Sequence, residues 1–184
     1  MVVVLVALAI TVAERDLRAQ GRPYAPTPVI PDTPTNDPLL QMEIASVRAA
    51  DVPTRGEVDI PPYPNAVLIR SSPVQRRPDS GRTRIVRLPV LVLVTADSIQ
   101  AVLAFYRERL PDWQYRQVLG GHFFWRGEEE FDPFGEAALT TKSLQVRESR
   151  RVKLVPDART EIHVRYRPRR VHVQYQPGAS APPR

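Results

Sequence analysis

Residues 83–110 read TRIVRLPVLVLVTADSIQAVLAFYRERL, a run rich in β-branched residues followed directly by an amphipathic segment. The run from Thr83 to Thr95 has the composition of a buried strand, and Pro89 predicts a bulge or an edge irregularity within it. It is shorter than the ~20 apolar residues that a membrane-spanning helix requires. The whole stretch therefore predicts a strand followed by a helix in an α+β domain.

The helix is predicted over residues 97–110. Its first residues, Asp97-Ser98-Ile99-Gln100, have the form of a capping box, in which the Asp97 carboxylate accepts a backbone amide and Gln100 reaches back. Pro111 and Asp112 predict its end. Five apolar residues then share one helix face: Ile99, Val102, Leu103, Tyr106 and Leu110.

Further strands are predicted on both sides of this helix. Residues 66–70 follow a proline-rich extended entry, and a loop is expected over residues 72–82. Gly120-Gly121 tolerates positive φ and predicts a tight hairpin between residues 113–119 and 122–126, with Trp113, Phe123 and Trp125 in the core. Alternating patterns predict half-buried strands around Leu144 and Val146, over residues 162–166 and over residues 171–175. The last two belong to a repeat, residues 162–168 and 171–177, which predicts two adjacent antiparallel strands.

These patterns predict one α+β domain over residues 58–177, with an antiparallel sheet of about five to six strands packed on one main helix. Residues 178–184 are expected to form a disordered tail. Six prolines between residues 20 and 38 predict a stiff linker over residues 20–57. Leu40, Ile44 and Val47 have the spacing of a short amphipathic helix over residues 38–50.

The N-terminal residues predict export. Residues 2–13 are apolar except for Thr11, which is typical of a signal peptide or a short anchor over residues 1–19. An uncleaved segment would contact the membrane through residues 2–13. The expected location is therefore periplasmic, cell-surface or secreted; the alternative is that the run is a buried strand or helix of a cytosolic domain.

The charge balance points to an anionic partner. The net charge is +6, and all but Lys142 and Lys153 of the 26 basic residues are arginine, which suggests a GC-rich bacterial genome as one cause. The candidate contacts crowd the C-terminal part: Arg147, Arg150, Arg151, Arg165, Arg167, Arg169 and Arg170. For these residues a solvated face is favoured over a selected binding surface.

No catalytic, cofactor or metal site is predicted. The chain has no cysteine and no Gly-x-Ser-x-Gly frame, and its three histidines lack zinc-ligand spacing. His163 and His172 could meet across neighbouring strands, although solvent-facing imidazoles are favoured. The acidic residues 128–136 match no calcium loop. Phe131 and Phe134 within them are expected to fold back on the core.

Two segments resemble a known family. Residues 63–66 read Tyr-Pro-Asn-Ala, and residues 97–113, DSIQAVLAFYRERLPDW, carry a Phe-Tyr pair and Trp113. They resemble small exported bacterial domains, mostly uncharacterised, with a Tyr-Pro-Gly-Ala entry, a helical Phe-Tyr pair and a following Gly-Trp. Asn65 and Asp112 stand where that family has glycine. The resemblance covers residues 59–115, and it implies a fold but no catalytic residue.

The function expected from these observations is that of an exported, non-enzymatic envelope or secreted module. It would bind an envelope protein, a glycan or an anionic surface through its sheet or its arginine-rich end. The alternative is an intracellular nucleic-acid-binding protein, which is less favoured because it requires the N-terminal run to be core. The third hypothesis, a hydrolytic enzyme, requires His163, His172 or the acidic loop to converge in a pocket.

Overall fold

The computed structural model describes residues 21–32, 34–127, 131–150 and 152–168. It confirms the predicted α+β class, because a six-stranded antiparallel sheet packs on a helix and a small second sheet lies beside it. The helices are α1 (Pro38–Arg48) and α2 (Ile99–Arg109), with a short 3-10 helix at Glu136–Leu139. The strands are β1 (Val67–Ser72), β2 (Gln75–Asp79), β3 (Arg82–Arg87), β4 (Val90–Thr95), β5 (Gln114–Val118), β6 (Gly121–Trp125), β7 (Ser143–Glu148) and β8 (Thr160–Arg165).

The large sheet has the strand order β1-β4-β8-β7-β6-β5, and every neighbouring pair is antiparallel. One face carries the main core against α2, as the helical periodicity predicts. Helix α2 contributes Val102, Leu103 and Tyr106 to that core. The sheet contributes residues of alternating register, among them Leu68, Leu93, Phe124, Leu144, Val146, Ile162 and Val164.

The predicted capping box of α2 is wrong. Ser98 is the N-cap, and its hydroxyl oxygen accepts a hydrogen bond from the backbone N–H of Ala101 at 3.3 Å. The Asp97 carboxylate instead accepts a hydrogen bond from the Tyr63 hydroxyl at 2.9 Å. The Asp97 carboxylate, which the local sequence predicts as the helix cap, is therefore hydrogen-bonded to Tyr63 in the segment that precedes β1.

The β5–β6 hairpin is present, but its turn lies one residue earlier than predicted. The residues with positive φ are Leu119, at 47°, and Gly120, at 77°. Gly121 already begins β6 and pairs with Val118. Positive φ at both turn positions matches the right-handed strand twist, and Leu119 adopts a conformation that is uncommon for a bulky residue.

Residues 72–95 differ most from the prediction. The expected loop contains β2, and the expected single strand is divided into β3 and β4 at Leu88-Pro89. Strands β2 and β3 form their own two-stranded sheet around Ser80 and Gly81, both at positive φ. Proline has no N–H to donate to a ladder, so Pro89 ends one strand instead of bulging within it.

Part of the predicted linker packs on the domain. Tyr24 and Ala25 are buried in the main core, and Pro23 forms an isolated bridge with Thr54. The carbonyl of Pro26 accepts a hydrogen bond from the N–H of Leu68 at 2.7 Å, which covers the edge of β1. Helix α1 matches the predicted short helix and is capped by the Asp37 carboxylate.

Strand β8 lies between β4 and β7, so both of its edges are occupied. The sequence predicts that residues 171–177 form a second antiparallel strand beside residues 162–168. Those residues, like the predicted signal segment 1–19 and the tail 178–184, lie outside the described residues. In the part of the chain that is described, neither helix has the length and apolar character to cross a bilayer.

Candidate functional site

The four predicted arginines that the structure describes have different environments. Arg147 and Arg165 are half-buried on the sheet face that points away from α2, at opposite ends of the β7–β8 pair. Arg165 donates to the Ala138 carbonyl at 2.6 Å and to the Ser143 hydroxyl at 3.3 Å. Arg150 and Arg167 are exposed. Three members lie outside the described residues: Arg151, Arg169 and Arg170.

Arg147 belongs to a charged network centred on Glu161. Its guanidinium donates to Glu161 Oε1 at 2.7 Å, and His163 Nε2 contacts the same oxygen. Burial raises the pKa of Glu161, but the hydrogen bonds from His163 and Arg147 outweigh it and lower the pKa to about 2. The predicted solvent-facing position of His163 is therefore wrong, because its imidazole contacts a buried carboxylate.

His122 does not belong to this network, and His172 and the acidic residues 128–130 lie outside the described residues. His122 pairs across the ladder with Val146 on the α2 face, whereas His163 pairs with Gln145 on the opposite face. The Nδ1 atom of His122 lies 2.8 Å from the hydroxyl oxygen of Tyr115. Burial, with a smaller contribution from Arg107, lowers the pKa of His122. Among the described residues, no group of three or more His, Asp or Glu side chains could hold a metal ion.

The phenylalanines of the acidic loop have different environments. Phe131 is buried and stacks on Trp125, with ring centroids 5.2 Å apart, as a core role predicts. Phe134 is 66% exposed, so its predicted core position is wrong. A cavity of about 510 Å³ lies beside Trp125 and Phe131. Five charged side chains lie at its wall, and two of them, Asp59 and Lys142, pair with each other.

A strongly positive segment lies in residues 75–87, here called the basic hairpin, which comprises β2, the turn and β3. It carries five arginines and one aspartate, a net charge of +4 against +6 for the whole chain. Every residue of the hairpin except Val86 is exposed. The arginines are Arg76, Arg77, Arg82, Arg84 and Arg87.

The register of the basic hairpin places two like charges face to face. Arg77 pairs with Arg84 directly across the strands, and Asp79 pairs with Arg82. Like charges at directly opposed positions destabilise a two-stranded sheet. Within the described residues, none of the five guanidinium groups forms an ion pair at 4.0 Å or less. The hairpin thus presents five arginines that form no ion pair with the described residues, although its own Asp79 lies opposite Arg82.

The positive potential continues towards the large sheet. Burial is the main cause that lowers the pKa of Arg165, and the nearby charge of Arg87 lowers it further. Sequence reasoning missed this site because it treated residues 72–82 as a loop. The signal that could have found it is Asp79-Ser80-Gly81 between the basic segments QRR and RTR, since such a tripeptide favours a hairpin turn.

Comparison with known proteins identifies no relative. No protein-family model, no curated protein and no solved structure matches the chain.

Proposed function

We propose that this protein is an exported, non-enzymatic module that binds an anionic partner through the basic hairpin. The observation that carries the proposal is the direct opposition of Arg77 and Arg84 on an exposed ribbon, where neither guanidinium forms an ion pair with a described residue. Bound anions would remove this repulsion and form charge-assisted hydrogen bonds with both guanidinium groups. Residues that destabilise the free folded protein and are stabilised by a bound ligand are typical of ligand-binding surfaces.

The other charged groups support this assignment by contrast. Glu161 compensates Arg147 and His163, Asp59 compensates Lys142, and the Ala138 carbonyl accepts from Arg165. These side chains hold the fold together and have less capacity for a ligand. The hairpin arginines form no ion pair of this kind with any residue that the structure describes.

The binding experiment uses the full chain on immobilised heparin, a sulfated polyanion, eluted with a salt gradient. We expect Arg77→Gln/Arg84→Gln to elute at clearly lower salt than the unaltered protein, because each lost contact reduces the number of counterions released. The matched control is Arg150→Gln/Arg167→Gln, which removes the same charge from the exposed arginines that sequence reasoning favoured. A larger shift in the control pair would overturn the hairpin assignment.

The same hairpin variant should keep its fold. Removing two opposed like charges leaves the free energy of unfolding unchanged within about 0.5 kcal/mol or raises it. Urea unfolding of both double variants separates loss of binding from loss of structure.

Export rests on residues 2–13 and is tested separately. Cell fractionation with mass spectrometry of the mature N-terminus should place the protein outside the cytosol, either cut after residue 13 or 19 or still anchored. An intact chain in the cytosol would contradict export. The second candidate function, an intracellular nucleic-acid-binding protein, would then take precedence, because the exposed hairpin arginines suit phosphate contacts.

A further inference from the structure

The basic hairpin is a two-stranded ribbon with positive charge on both of its faces. Successive strand residues point to opposite sides, so Arg76 and its partner Ile85 lie on one face while Arg77 and Arg84 lie on the other. Both faces are exposed. A ligand that neutralises all of these arginines must therefore surround the ribbon instead of contacting it from one side.

A flat anionic membrane does not meet this requirement. It would neutralise one face and leave the other in solvent. Membrane-surface segments also insert large apolar side chains such as Trp, Phe or Leu into the lipid interface. The basic hairpin contains no Trp, Phe or Leu, and its one large apolar side chain at the surface is Ile85, which is 36% exposed; the exposed Leu119 and Phe134 belong to other segments of the chain.

The major groove of B-form DNA, in contrast, can contact both faces of the ribbon. The groove is about 12 Å wide and about 8.5 Å deep and admits a two-stranded β-ribbon. A ribbon that stands on its edge, with its strands about 4.8 Å apart along the groove depth, turns one face towards each wall. Its walls carry phosphates on both sides of an inserted ribbon, and arginine binds phosphate in a bidentate geometry. The deep and narrow major groove of A-form RNA excludes such a ribbon.

We infer that the basic hairpin enters the major groove of double-stranded DNA, with Arg76 on one side and Arg77 and Arg84 on the other contacting phosphates of the two walls. This inference rests on the proposed function, because it names the anionic partner of the same hairpin. Binding is largely independent of sequence, since phosphate contacts carry no base information. An exported protein would meet this ligand outside the cytosol.

The test measures binding of the full chain to a fluorescent 30-base-pair DNA duplex over a range of salt concentrations. We expect the logarithm of the binding constant to fall with the logarithm of salt with a slope of about −4, from four to five phosphate contacts. Arg76→Gln and Arg84→Gln, on opposite faces, should each reduce that slope by about 1 and weaken binding about tenfold near 0.1 M salt. Arg150→Gln should change neither quantity.

Binding to duplex RNA and to lipid vesicles, together with a footprinting experiment on DNA, distinguishes the possible classes of partner. Duplex RNA of the same sequence should bind at least about tenfold more weakly, because its major groove excludes the ribbon. Bound protein should protect guanine N7, which lies in the major groove, from dimethyl sulfate. Vesicles of phosphatidylcholine and phosphatidylglycerol serve as the flat surface.

The outcomes separate the two proposals. Hairpin-dependent binding to vesicles or heparin, without preference for DNA over RNA and without N7 protection, overturns the DNA inference and leaves the proposed function standing. DNA binding in which Arg76→Gln has no effect overturns insertion between two walls. If the hairpin variants bind every polyanion as the unaltered protein does, both proposals fail.

Discussion

At the scale of single residues, Glu161 links two strands through charge. It lies on β8, and its side chain is buried while it compensates Arg147 on β7 and contacts His163 two residues along β8. An uncompensated charge at this depth would be costly, so removal of the carboxylate affects both cations. The network therefore contributes stability that depends on pH.

We predict that the difference in the free energy of unfolding between the unaltered protein and the Glu161→Gln variant becomes smaller as the pH is lowered. The pKa of Glu161 is lowered from 4.5 to about 2 on folding. Its contribution, up to about 3 kcal/mol, is fully present above pH 4.5 and is lost as the pH falls towards 2. Urea unfolding at pH 7, 4 and 2.5 measures both proteins. A gap that stays constant over this range would show that the carboxylate is not stabilised in its charged form.

At the scale of elements, helix α2 begins at a different residue from the one that its local sequence favours. Asp97 and Ser98 are both good N-cap residues, and the sequence pattern Asp-x-x-Gln favoured the first. The hydrogen bond from Tyr63 occupies the Asp97 carboxylate, and Ser98 caps the helix. A residue 34 positions away along the chain thus decides which cap is used.

A cap at Ser98 predicts different effects for two neighbouring substitutions. Ser98→Ala should lower the free energy of unfolding by about 1 kcal/mol, because the Ala101 N–H loses its acceptor. Gln100→Ala should change it by less than about 0.5 kcal/mol, since Gln100 is exposed and alanine favours the helix. Thermal unfolding of the two variants compares them directly. If Gln100→Ala were more destabilising than Ser98→Ala, the result would support the capping box that the sequence predicts.

At the scale of the whole molecule, the boundary of the folded unit lies earlier than composition indicates. Proline-rich residues after position 20 predict a tether, yet Tyr24 is only 1% exposed and packs in the main core. The backbone of the same segment, including that of Tyr24, also forms hydrogen bonds with residues 53 and 68. The proline-rich segment therefore provides part of the core and covers one edge of the large sheet.

This packing predicts that Tyr24→Ala destabilises the domain by about 3 kcal/mol or more, through the loss of buried aromatic surface. Tyr24→Phe should be neutral or slightly stabilising, because the hydroxyl is buried without a hydrogen-bond partner among the described residues. Val29→Ala is the matched control, since Val29 is 91% exposed. Equal stability of the Tyr24→Ala and Val29→Ala variants, measured by urea unfolding, would contradict a core role for the segment.

The sequence by itself determined the α+β class, the buried face of α2 and the β5–β6 hairpin. These features follow from periods of 3.6 and 2 residues and from turn residues, all of which act over a few positions. Even the error in the hairpin turn is small, because Leu119 and Gly120 are the neighbours of the predicted pair.

Only the tertiary structure decided which charged groups are compensated. Glu161 meets Arg147 because β7 and β8 are neighbours, and Arg77 opposes Arg84 because the β2–β3 register places them together. The described C-terminal arginines therefore differ in burial and in their partners, and the candidate site lies in a segment that sequence reasoning treated partly as a loop. Strand order and register depend on contacts between residues far apart in the chain, which local periodicity does not specify.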